Sequence, residues 1–234
     1  MDKHIFFDLD RTLWDFEKNS ENALKQLFDE TADRHHLPSF HKFLNVYKEV
    51  NAKLWTKYGK GKITKEELRD ERFNKTFQKL EVFDETLGPY FGEHYIRISP
   101  FQTALFPDAK EVLAELKKEG YHLHIITNGF KDVQHIKLET SDIKSYFDVI
   151  LSSEELGVNK PNPVIFKKAL EMAGAKAENS TMIGDNLEVD VIGATNVGMH
   201  GIHFDPEGRM KDRADGTRIR RLNELPALLP FLMK

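Results

Sequence analysis

The stretch His4-Ile5-Phe6-Phe7-Asp8-Leu9-Asp10-Arg11-Thr12-Leu13-Trp14 decides how the rest of the chain is read. It opens on a short apolar block and stops at two acids, as a buried strand does when it delivers side chains to the edge of a sheet. His4 to Leu9 is therefore predicted as a strand, and the chemistry is expected at its end.

Outward from this strand the rhythm changes twice. From about Asn19 to Tyr95 the apolar residues take helical spacing: Leu24, Leu27 and Phe28, then Phe40, Phe43, Leu44, Tyr47 and Leu54, then Leu68, Phe73, Phe77 and Leu80. Thr64-Lys65-Glu66-Glu67 has the form of a capping box that opens the third of these helices. Ser99, Pro100 and Pro107 break the pattern. Beyond them strands and helices alternate. Helices are expected over Ala109–Glu119 (closed by Gly120), toward Leu138, over Pro163–Met172 and over Leu187–Val197, with strands at Tyr121–Thr127, Asp148–Ser152, Thr181–Gly184 and His200–Phe204. That alternation predicts an α/β, Rossmann-like parallel sheet with helices on both faces. The helical block becomes an inserted α-helical cap domain over 17–99, and 1–16 with 100–234 form the catalytic core. Ligands of such open sheets bind beyond the carboxyl ends of the strands.

Bulk properties narrow the function classes. With 40% hydrophobic and 31% charged residues, the 234-residue chain has apolar material for a packed core plus an appendage. The absence of cysteine excludes a disulfide framework, a thiolate zinc site and a cysteine nucleophile. A net charge of -4 gives no global attraction to a nucleic-acid polymer. Arg209, Lys211, Arg213, Arg218, Arg220 and Arg221 alternate with Asp205, Glu207, Asp212 and Asp215 and read as a solvated loop. No apolar run approaches the ~20 residues that span a bilayer. The opening Met1-Asp2-Lys3-His4 lacks the features of a signal peptide, so the expected compartment is the cytoplasm, with no membrane partner.

Four short motifs carry the chemistry. Asp8 and Asp10 place two carboxylates in one turn: one carboxylate can attack phosphorus to give an acyl phosphate, and the other can move protons. Alone, such a pair is an ordinary turn feature. Thr127-Asn128-Gly129 ends a strand with a hydroxyl and backbone amides suited to phosphate oxygens. Lys160-Pro161 sets an ammonium before a helix N-terminus, where it can neutralise phosphoryl charge. Gly184-Asp185-Asn186 puts an acid at a strand end, and magnesium needs only one or two carboxylates besides waters and substrate oxygens. Asp8 and Asp185 are candidates to supply them. Asp190, five residues on, is a supporting or helix-capping acid.

Taken together, in this order and at successive strand ends, these motifs resemble the haloacid dehalogenase (HAD) superfamily of phosphatases over nearly the whole chain. The resemblance implies roles residue by residue. Asp8 becomes nucleophile and metal ligand. Asp10 becomes general acid and base, with its backbone carbonyl on the metal. Thr127, Asn128, Gly129 and Lys160 hold the phosphoryl group, Asp185 completes a Mg2+ site, and Asp190 supports it. Arg11 departs from the small or polar residue usual between the second Asp and the Thr. Thr12 to Phe16 (Thr-Leu-Trp-Asp-Phe) and the large helical cap resemble the pyrimidine 5′-nucleotidase branch, so the expected substrate is a nucleoside 5′-monophosphate. Trp14 or Phe16 either stacks on a base or packs the hinge. A sugar-phosphate phosphatase or phosphomutase is the alternative. A dehalogenase or phosphonatase would lack Asp10, and a non-enzymatic binding domain would have lost a motif residue. Gly59-Lys60-Gly61-Lys62 lacks the spacing of a phosphate loop, and His122, His124, His200 and His203 lack a third ligand for zinc. Oligomeric state and the cap residues that set specificity are not legible.

Overall fold

The first strand, β1 (His4–Phe7), is buried at every position and has a parallel neighbour on each side. Its side chains alternate between two cores. Ile5 and Phe7 pack with Leu113, Leu116, Ile125 and Leu229, while Phe6 packs with Ile126, Phe166 and Met182 on the opposite face. This double burial is why the run is apolar without alternation. In the computed structural model, residues 2–33, 35–208 and 217–232 are described.

Four helices follow: α1 (Phe16–Thr31), α2 (Phe40–Gly59), α3 (Lys65–Lys79) and α4 (Leu87–Ile98). The predicted capping box of α3 is present: the Thr64 side chain accepts from Glu67 N–H and Glu67 accepts from Thr64 N–H. The fourth helix continues through a 3-10 turn at Ser99–Phe101 despite Pro100, so the helical stretch runs past residue 99. Next come α5 (Ala109–Lys118), β2 (His122–Thr127), α6 (Lys131–Thr140), β3 (Phe147–Ser152), α7 (Pro163–Ala173) and β4 (Ser180–Gly184). The segment expected as one helix from Leu187 to Val197 is instead a π-helix over Leu187–Ile192 joined to a single short turn, α8 (Gly193–Thr195). The wider winding carries Asp190 back toward the end of β4. After β5 (His200–Phe204), two elements that the pattern reading missed close the fold, β6 (Thr217–Ile219) and α9 (Leu225–Leu232).

The six strands form one sheet in the order β3-β2-β1-β4-β5-β6, and every neighbouring pair is parallel. Chain direction across the sheet reverses between β1 and β4, which is where an open sheet of this kind leaves a crevice for ligands.

The chain divides into two compact units, Met1–Phe16 with Thr103–Lys234, and Glu17–Gln102. The first contains the sheet. The second is an α-helical unit with its own aromatic core, in which Phe43 touches Tyr47, Phe77 and Phe91. Of the arginine-rich segment, Arg209, Lys211, Asp212, Arg213 and Asp215 lie outside the described residues; Asp205 and Arg218 form an ion pair at 3.6 Å.

Candidate active site

Asp8 leaves β1 with its backbone N–H bonded to the Ile183 carbonyl of β4 at 2.9 Å, so the two strand ends are held together at the switch point. The following turn is knit by the amides of Thr12, Leu13 and Trp14, which all donate to the Leu9 carbonyl. That turn places Arg11 at φ 68, the left-handed region that a long side chain rarely adopts. Its guanidinium lies 4.2 Å from the centroid of Phe16. Thr12 then bridges the strand ends: its hydroxyl donates to Asp8 Oδ2 at 3.3 Å and accepts the Asp185 N–H at 3.1 Å.

Lys160 is the centre of the buried charge. Its Nζ donates to Asp8 Oδ1 at 2.7 Å and to the Ile126 carbonyl at 2.6 Å, and it lies 2.7 Å from Asp190 Oδ1. The last contact is an ion pair without hydrogen-bond alignment. Lys160 is not at a strand end; it sits in the loop between β3 and α7. Asn128 explains how that loop is placed, because its amide clamps the Lys160 backbone, accepting from Lys160 N–H at 2.8 Å and donating to its carbonyl at 3.1 Å. The Asn128 side chain is thus turned to Lys160, while the phosphate contact expected of this motif is one of backbone amides.

Carboxylate oxygens of Asp8, Asp185 and Asp190 lie within 4.8 Å of one another. Burial pushes the Asp8 carboxyl up to about 8; Lys160 opposes the shift, and Asp190 and Asp185 add to it. Burial likewise raises Asp185 to about 6, with Asp190 adding and Arg11 and Lys160 opposing. Burial works against the charge of Lys160 too, but Asp190 and Asp8 outweigh it and hold the ammonium above its ordinary range. Around Lys160 a single ammonium faces three carboxylates, a deficit of two positive charges when all are ionised. The hard oxygen donors and the size of that deficit fit one divalent cation. Gly184 makes the packing possible, since a Cβ there would meet Asp190 Oδ2 at 2.3 Å.

Two residues that sequence reasoning missed control Asp10. Gln134 of α6 donates to Asp10 Oδ2 at 3.0 Å and accepts the Thr127 hydroxyl at 3.1 Å, so one amide joins two of the predicted site residues. Lys137 donates to Asp10 Oδ1 at 2.5 Å while its Nζ rests 4.1 Å from the Trp14 ring centroid. Trp14 is fully buried and serves as the floor under Lys137, which excludes it as an exposed base-stacking platform. Gly129 donates its N–H to Thr127 Oγ1 at 3.0 Å, and a Cβ on it would meet Gln134 at 2.2 Å.

A family model for haloacid dehalogenase-like hydrolases matches residues 3–198. The chain belongs to the haloacid dehalogenase-like hydrolases. It is 34% identical over 228 residues to pyrimidine 5′-nucleotidase YjjG of Escherichia coli, covering 96% of each chain. It is 33% identical to glyceraldehyde 3-phosphate phosphatase of Pyrococcus furiosus, covering 98% of this chain and 92% of that one. A crystal structure of the Bacillus subtilis HAD-hydrolase YfnB bound to magnesium superposes with a TM-score of 0.85 at 27% identity, covering 98% of this chain and 100% of that one. Among the described residues the histidines contribute to no metal-binding cluster, and Gly59 ends α2, away from any phosphate-loop context.

Proposed function

We propose that this chain is a magnesium-dependent phosphomonoesterase that forms a phosphoaspartate at Asp8 and acts on nucleoside 5′-monophosphates in the cytoplasm. One observation carries the reading: a buried carboxylate at a strand end, held 2.7 Å from a buried lysine and beside two further acids. Asp8 and Asp185, with the Asp10 carbonyl, would hold Mg2+, and the bound ion would neutralise phosphoryl charge and favour the ionised form of Asp8. Asp8 attacks phosphorus as the bond to the leaving oxygen breaks, and Asp10 gives that oxygen its proton. Asp10 then takes a proton from the water that cleaves the acyl phosphate, which releases phosphate and restores Asp8. Lys160 stabilises the phosphorylated aspartate, and Thr127, Asn128 and Gly129 hold phosphoryl oxygens. Asp190 fixes Lys160 and caps the π-helix by accepting the Asn186 N–H at 3.1 Å. The retained set of motif residues argues against a non-enzymatic binding domain.

The nucleotide preference is supported by the similarity to a pyrimidine 5′-nucleotidase over 96% of the chain. The similarity to a glyceraldehyde 3-phosphate phosphatase supports a second reading, a sugar-phosphate or small-phosphoester hydrolase or mutase. Among the described residues no helix is long and apolar enough to cross a membrane, and the partner expected is a small phosphomonoester rather than a nucleic-acid polymer. Hydrolysis of p-nitrophenyl phosphate with magnesium tests the chemistry. Asp8→Asn is expected to lose at least ~10³-fold in kcat, as removal of a covalent nucleophile does, and equal rates would refute it. Comparing kcat/KM for uridine 5′-monophosphate and glyceraldehyde 3-phosphate decides between the two substrate classes.

A further inference from the structure

Of the histidines that fail as zinc ligands, His203 has another task at the catalytic edge. It is the penultimate residue of β5, paired in register with Gly184 of β4, and is only 7% exposed. Its strand neighbours Ile202 and Phe204 join the core on one face of the sheet, and strand alternation turns His203 to the other. There its Nε2 lies 2.9 Å from the backbone carbonyl of Asp185. A carbonyl oxygen only accepts, so Nε2 carries a proton and donates it to the bond.

The backbone of Asp185 is thereby held on both sides. Its N–H donates to the Thr12 hydroxyl at 3.1 Å, and its carbonyl accepts from His203. The next peptide is held as well, because Asn186 N–H donates to Asp190 Oδ2 at 3.1 Å. The three anchors come from three different elements: the turn after β1, the strand β5 and the π-helix. Thr12 and Asp190 are buried like His203. All three bonds act on the backbone, so they fix the point from which the Asp185 carboxylate projects toward Asp8 and Asp190. A hard cation held by few carboxylates is sensitive to where each one stands, and groups behind the ligands change metal affinity by roughly 10- to 100-fold. A bond that merely satisfied a part-buried carbonyl would cost stability when lost and leave metal affinity unchanged.

We propose that His203 is a positioning residue for the metal ligand Asp185, holding its carbonyl while Thr12 holds its amide, and so sets the affinity of the site for magnesium. This inference rests on the magnesium-dependent reading above. The test follows the Tm of the full chain against magnesium concentration at constant pH, which requires no turnover. His203→Leu should raise the magnesium concentration for half of the full Tm shift at least ~10-fold. His203→Gln, whose amide can donate from the place of Nε2, should stay within ~3-fold of wild type. With p-nitrophenyl phosphate, His203→Leu should need correspondingly more magnesium, yet recover kcat to within ~3-fold once the metal saturates. If His203→Leu does not fold, His203→Asn takes its place, since its shorter amide cannot reach the carbonyl. A variant that melts lower but keeps the wild-type magnesium dependence would overturn the proposal and leave the metal reading standing. So would a His203→Gln that behaves like His203→Leu. A wild type whose Tm does not respond to magnesium would sink the metal reading itself, and this proposal with it.

Discussion

Thr127 and Asp10 are held by the two ends of one amide, that of Gln134, which is 1% exposed. Gln134→Leu keeps the volume and removes both bonds, and should lower kcat by roughly 10- to 100-fold through misplacement of reacting groups, with a smaller change in KM. Steady-state kinetics on any accepted phosphomonoester checks this, and an unchanged kcat would show that Asp10 and Thr127 need no such support. The places of Asp8, Thr127 and Asp185 were legible because each closes or directly follows an apolar strand run, and the structure brings Asp8 and Asp185 together near Lys160. Gln134 and Lys137 were not, because on α6 the apolar Val133 and Ile136 look like the buried face while Gln134, Lys137 and Leu138 occupy it. A helix beside a catalytic loop with polar residues one step off its apolar stripe is the signal that would have found them. In the run through Trp14, the indole supports Lys137, which holds Asp10.

At the scale of elements, the strands were read nearly to their ends because burial on both faces leaves an apolar signature. β6 and α9 escaped because one has three residues and the other carries an internal Pro230. The π-helix escaped for a different reason: its apolar residues satisfy a helical pattern, and its wider winding is set by the hydrogen bonds of Asn186 and Asp190 near Gly184. Such windings recur at functional sites. The parallel pairing of β1 with β2 also creates a pH-sensitive spot away from the catalytic edge. His4 Nδ1 and His124 Nε2 are 3.1 Å apart, a bond that needs one of them to be neutral. Burial, with the neighbouring His4 adding to it, lowers His124 to about 4. The unfolded chain therefore binds a proton near pH 6.5 that the folded chain refuses until about pH 4. Stability is full above pH 6.5 and is lost as the pH falls through that window, by up to about 3 kcal/mol for a shift of this size. Denaturant melts at pH 7 and 4.5 should show that loss in the wild type and a smaller one in His124→Phe; equal losses would contradict it.

For the molecule as a whole, the end of the sheet carries a charge-deficient cluster of Asp8, Asp185 and Asp190 around Lys160. The cluster makes stability depend on magnesium and pH together. With Asp8 and Asp185 raised to about 8 and about 6, the metal-free folded chain holds protons that the unfolded chain releases near pH 4. These two groups therefore make the metal-free protein less stable as pH rises from 4 toward 8. Magnesium competes with those protons, so its addition should raise Tm more at pH 8 than at pH 5, and an equal rise at both would contradict a site built from these acids. The central claim is that Asp8 carries the phosphoryl group. The most direct test is to quench the working enzyme in acid, reduce it with borohydride and map the peptides by mass. Conversion of residue 8 to homoserine is the predicted result; reduction at another position, or none with undiminished turnover in Asp8→Asn, would contradict the account.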